Sequence, residues 1–209
     1  MKRNVVLLAA LLICAVAFPV SATRVIPLSL DKITNYAGQI FIGTVVDRQT
    51  HRDEQGTPAT FYTFKVEKGI LGVRSDEVQV KFFGFAEAQP DGSILSIPGM
   101  PKYEVGDKVY LFLHPASDSG FTSPVGVFQG SFPIAKNAEG KEVIEGLSPH
   151  LAGLPGLSKL TDAERKVLQG PSIDVETFSR IVERLVRERQ GSTAEATKTA
   201  RPDVSQPRK

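Results

Sequence analysis

A mainly β fold is predicted for this chain: a small antiparallel barrel of about five or more strands, with peripheral helices and a C-terminal amphipathic helix. Three observations predict it. Short segments alternate apolar with polar side chains and are rich in aromatic and β-branched residues, the mark of half-buried strands. Clusters of Gly, Pro, Asn, Asp and Ser separate them, as tight turns require. Beyond Gly146 the apolar period changes to that of a helix.

A short helix comes first, with Ser29 placed to cap it, Leu30, Ile33 and Ala37 on one face, and Gly38 as its stop. Gln39 to Arg48 reads as a strand carrying Ile40, Ile42, Thr44 and Val46 on one side. His51 to Pro58 is a polar turn. It leads into Thr60 to Lys68, where Tyr62, Phe64 and Val66 oppose Phe61, Thr63 and Lys65. These two strands suit an antiparallel hairpin. Glu77 to Phe83 follows, with Val78, Val80 and Phe82 inward. A long irregular stretch from Gly84 to Lys102 precedes Asp107 to His114, which alternates Val109, Leu111 and Leu113 with Tyr110 and Phe112. Val125 to Ala135 and Lys141 to Glu145 read as a last hairpin around Asn137 to Gly140.

The composition changes after Gly146. Residues 147–160 read as a Pro/Gly-rich linker and 161–190 as a helical segment. Thr161 and Glu164 form a capping-box pattern. From Asp174 to Gln190, Val175, Phe178, Ile181, Val182, Leu185 and Val186 fall on one stripe. That stripe either closes the core or displays a partner-binding helix. Gly191 is read as its end, and residues 191–209, almost without apolar side chains, as a disordered tail.

At the other end, Lys2 and Arg3 precede an apolar run from Val5 to Val20 that closes in Val20-Ser21-Ala22. This pattern predicts a secretory signal peptide over 1–22, cleaved after Ala22, which leaves no stable membrane anchor and makes the protein periplasmic or secreted. A retained anchor is the competing reading. Cleavage removes Cys14, the only cysteine, so residues 23–146 must close their own core without a disulfide. Without Lys2 and Arg3 the 25 basic residues become 23, equal to the 23 acidic ones, and no basic stripe is left for a phosphate backbone. Nucleic acid is not an expected partner.

Chemistry-bearing patterns are sparse. His51, His114 and His150 lie scattered in a turn, a strand end and the linker, without metal-ligand spacing. Asp118-Ser119-Gly120 has the triplet of aspartic proteases but no second copy to supply the paired carboxylate. Asp53 with Glu54, and Glu104 with Asp107, read as solvated turn residues rather than an acid/base pair. No catalytic residue, cofactor or metal is assigned. The expected contact surface is the Gly84–Pro101 loop, through Phe83, Phe85, Ile97 and Met100.

Four blocks in order, AGQIFIGTVV, FYTFKVEKGILG, KYEVGDKVYLFL and VGVFQGSFPI, resemble a family of exported bacterial proteins. More distantly, the same order resembles the netrin-like domain of tissue inhibitors of metalloproteinases, which implies an OB-like barrel. Those inhibitors hold the protease zinc through an N-terminal cysteine, and Thr23 stands at the predicted first position here. The expected function is an exported, non-enzymatic binding domain for another envelope or secreted protein or an envelope component. An inhibitor or companion of an exported protease, and a hydrolase with an unrecognised site, are the alternatives.

Overall fold

The computed structural model describes residues 25–90, 92 and 94–199. The leader over 1–22 lies outside these residues, as do positions 200–209 of the expected tail. Helix α1 spans Leu30–Tyr36. Seven strands follow: β1 (Gln39–Arg52), β2 (Pro58–Leu71), β3 (Glu77–Phe83), β4 (Lys108–Leu113), β5 (Ser131–Lys136), β6 (Glu142–Glu145) and β7 (Ser172–Asp174). A 3-10 turn, Pro149–Ala152, and helix α2, Asp162–Leu168, separate β6 from β7. Helix α3 runs over Val175–Thr199.

All seven strands belong to one antiparallel sheet in the order β3-β2-β1-β4-β5-β6-β7. The sheet is not closed into a barrel, contrary to expectation. The reason lies in β5, which changes partner at its middle. Ser131 to Pro133 pair with β4, whereas Ile134 to Lys136 pair with β6. The ladder therefore continues outward to β7 instead of returning to β3. Backbone contact back toward β3 comes from the preceding loop, where Lys81 bridges Phe121 in parallel and the Thr122 N–H donates to the Lys81 carbonyl at 2.9 Å.

The curled sheet has a core on each face, which explains the nearly unbroken apolar run of β4. On one side Phe41, Val45, Tyr62, Phe64, Val80, Phe82, Val109 and Leu111 pack together around Tyr103. Tyr62 and Phe64 meet the Tyr103 ring edge-on, with centroids 5.2 and 5.8 Å away. On the other side Ile40, Ile42, Tyr110, Phe112 and Phe132 receive α1 and α3. β1 is buried on both of its faces. Ile40 and Ile42 serve the helical core, while Phe41 and Val45, alternating with them, serve the aromatic cluster; Val46, at the register shift between Val45 and Asp47, is 42% exposed. Plain period-two alternation sends successive residues to the two cores. The last expected strand also begins late: residues 125–130 form a loop, and β5 starts at Ser131.

Residues 147–186 pack against the sheet. The residues read as a linker contain the Pro149–Ala152 turn, and Leu151, Ala152 and Leu160 are buried in the helical core. Apolar side chains spaced between prolines and glycines anchor this segment. The capping box forms: Thr161 Oγ1 accepts the Glu164 N–H, and Glu164 Oε2 accepts the Thr161 N–H at 2.8 Å. The stripe of α3 is buried, so this helix closes the core. Its extent is longer than expected, continuing past Gly191 to Thr199. One glycine costs a helix only about 1 kcal/mol, and the following Ala194, Glu195 and Ala196 are strong helix formers.

Arg184 of α3 donates to both oxygens of Glu164, at 2.7 and 2.6 Å, stapling α2 to α3. Burial alone would raise the Glu164 carboxyl. Its bonds from Arg184 and Thr161 outweigh that and hold it below its ordinary 4.5. A depressed folded carboxylate stabilises fully above its unfolded pKa and loses that contribution as pH falls through the folded value. Melting temperature should therefore drop on acidification below about pH 4.5 more steeply in the native protein than in Glu164→Gln. Parallel Tm–pH curves would exclude the staple as a source of stability.

Candidate functional site

The site is built where β5 changes partner. From Ser131 to Pro133 the β6 side of β5 has no strand beside it, because β6 pairs only from Ile134 onward. The gap is an apolar cavity of about 290 Å³, between β5, the end of β6 and the chain before α1. Val25, Leu28, Ile33, Phe128, Phe132, Ile144, Leu147 and Leu151 line it, with Glu145, Ser148 and His150 as its polar border. On the β4 side, past Pro133, lies a second hollow of about 500 Å³ bordered by Lys102, Tyr103, Gly106, Asp107 and Lys108. Phe128, Ser131 and Pro133 line both.

Gln129 holds the wall made by residues 25–28. Its Oε1 accepts the Leu28 N–H at 2.7 Å, and its Nε2 donates to the Ile26 carbonyl at 3.0 Å. One side-chain amide thus replaces the strand missing from that edge. Phe128 beside it is 49% exposed. The backbone just before Phe128 is strained at Val127, with φ 69°, next to Gly126, which takes φ 64° freely. A β-branched residue in the left-handed region is an outlier that costs about 1–2 kcal/mol. The loop persists because both its ends are tied to β4: Phe112 donates to the Gly130 carbonyl and accepts the Val125 N–H, at 2.8 and 2.9 Å. Glycine relieves the strain but costs some chain entropy. Val127→Gly should therefore stabilise by about 0.5–1 kcal/mol, raising Tm by roughly 2 °C. An unchanged or lower Tm in a thermal melt would argue against the strain.

Charged groups near the second hollow differ in how they are satisfied. Lys108 bridges two carboxylates, Glu67 and Glu142, the latter at 2.7 Å. Lys102 and Asp107 have no ion-pair partner among the described residues; Asp107 Oδ2 accepts the Glu104 N–H at 2.8 Å. The Tyr103 hydroxyl shares a hydrogen bond with Ser131 Oγ at 2.7 Å, and burial pushes its pKa up, so it stays protonated.

The residues singled out from the sequence lie elsewhere. Phe83, Phe85, Ile97 and Met100 do come together, around a hollow of only about 20 Å³ beside Tyr62 and Phe82. Phe85 is 3% exposed, with the Arg52 guanidinium 5.7 Å above its ring. Met100 packs on the inner core, and Phe83 and Ile97 are partly exposed. The loop folds back because the Phe85 N–H donates to the Leu95 carbonyl at 2.7 Å. Asp53 is engaged by Lys81 at 2.6 Å, and Glu104 by Arg48 at 2.5 Å. Lys81 also lies 4.0 Å from the Phe121 ring centre. His51 stacks on Phe61 with centroids 4.7 Å apart.

Sequence reasoning missed Phe128 and Gln129, which sit in a segment read as strand. The available signal was Gly126 and Gly130 enclosing them, a spacing that suits a loop better than a strand interior. Among the described residues no three His, Cys, Asp or Glu side chains are placed to hold a metal ion, and no helix is long and apolar enough to cross a membrane. Neither a protein-family model nor a curated protein matches the chain.

Proposed function

We propose that this is an exported binding domain without catalytic chemistry of its own, acting in the periplasm or outside the cell. Its ligand is an envelope component with a small apolar group, held in the cavity beside Phe128. The observation that carries this reading is the mostly apolar 290 Å³ space bordered by a strained, half-exposed aromatic loop. Strain of this kind persists where the surrounding structure enforces it, and it concentrates at binding sites. Concave apolar sites with a few polar groups at the border are the common form of small-ligand pockets. Export rests on the Lys2 to Ala22 leader pattern. An OB-like arrangement of β1 to β4 is part of the proposal, supported by the parallel bridge from Lys81 to Phe121 that brings the 121–124 segment between β3 and β4.

The test is titration with N-phenyl-1-naphthylamine, a neutral apolar fluorophore. Saturable enhancement at one site is expected, weakened at least about fivefold by Leu147→Trp, which fills the cavity, and unchanged by Phe83→Ser. A linear, unsaturable response, or equal effects of the two substitutions, would remove the cavity as the site.

A further inference from the structure

Resting on that reading, we infer that the ligand is a single-chain amphiphile with a zwitterionic phosphate–amine head group. Its chain fills the cavity behind Phe128, and its head lies in the adjoining hollow between Lys102 and Asp107. Size sets the chain. At roughly 30 Å³ for each water-sized group, 290 Å³ accommodates about ten methylenes and excludes a second chain of that length. Burying an aliphatic chain is favourable by about 0.8 kcal/mol per methylene, and the cavity wall offers it no charge beyond Glu145 and His150 at the border.

Continuity sets the position of the head. The two hollows share Phe128, Ser131 and Pro133, so the second adjoins the first along the edge of β5 that β6 leaves free, and it is the nearest hollow for the head of a chain held in the first. Charge then selects the head group. Lys108 is already engaged by two carboxylates, Glu67 and Glu142, and is not free for a head group. The ammonium of Lys102 and the carboxylate of Asp107 remain, one of each sign and neither ion-paired among the described residues. A purely anionic head would satisfy Lys102 but face Asp107, and a purely cationic one the reverse. A head bearing a phosphate and an amine answers both. The hydroxyls of Tyr103 and Ser131 border the same hollow and supply further polar contact for phosphate oxygens.

Four decyl amphiphiles below their micellar concentrations test this by displacing bound N-phenyl-1-naphthylamine from the purified protein: decylphosphocholine, decyl sulfate, decyltrimethylammonium and decyl maltoside. Decylphosphocholine should bind at least about fivefold more tightly than each of the others. Lys102→Glu, a surface substitution that leaves the fold intact, should erase that advantage and favour decyltrimethylammonium. Equal affinities within twofold, or an order unchanged by Lys102→Glu, overturn the head-group assignment while leaving the apolar cavity in place. Failure of all four to displace a fluorophore that does bind overturns the chain placement. No binding by the fluorophore itself overturns the cavity reading along with it.

Discussion

Phe178→Ala is expected to destabilise the protein by about 3–5 kcal/mol, the cost of emptying a buried aromatic site that cannot collapse. Phe178 is fully buried on α3 and meets three rings of the sheet. Tyr110 lies edge-on at 5.0 Å, Phe132 at 5.2 Å and Phe112 at 6.4 Å. Phe178 is the one aromatic residue in the sequence of α3, so truncation leaves an aromatic-lined void. Against a total stability of about 5–15 kcal/mol, such a loss removes a large share. Urea denaturation should show a lower midpoint, and Phe178→Leu should recover much of the difference. A loss under 1 kcal/mol for Phe178→Ala would mean that α3 is an ornament on a sheet stable without it.

A second large effect is expected at Gly72. It follows β2 with φ +68°, and a Cβ there would lie inside contact distance of the Gly38 carbonyl oxygen. Two corners of the chain, the one between α1 and β1 and the one after β2, touch backbone to backbone at this point. Gly72→Ala carries about 1–2 kcal/mol for the left-handed backbone and about 1–3 kcal/mol more for forcing the corners apart. Gly56, also at positive φ but with open space around it, isolates the two contributions. Gly56→Ala should cost only the backbone part. Equal Tm losses for the two substitutions would show that the close approach contributes nothing.

The strands were legible wherever one face met one core. β2 and β3 were legible because Tyr62, Phe64, Val80 and Phe82 recur at every second position and fill one core. β1 was read on one side only, since Phe41 and Val45 fill a second core opposite Ile40 and Ile42 and nothing local says that both faces are covered. Strand β7 escaped because Ser172-Ile173-Asp174 has a single apolar residue. Tertiary burial, not local pattern, orders the 147–160 segment: Leu151 and Leu160 find the helical core from between prolines and glycines. The site was the least legible part. Loop length drew attention to residues 84–101, yet the larger hollow arises from a partner exchange in the sheet. Such an exchange depends on which strands meet, and Pro133 alone does not announce it.

The two-sided packing of the sheet sets a timetable for the nascent chain. Once β4 is made, the rings of Tyr110 and Phe112 point away from the inner aromatic cluster, toward a helix that does not yet exist. Residues 114–174 must still be synthesised before α3 begins. At 5–20 residues per second this leaves a greasy surface uncovered for roughly 3 to 12 seconds. During that interval the half-made chain is a substrate for holdase chaperones and for self-association, hazards from which the finished molecule is free.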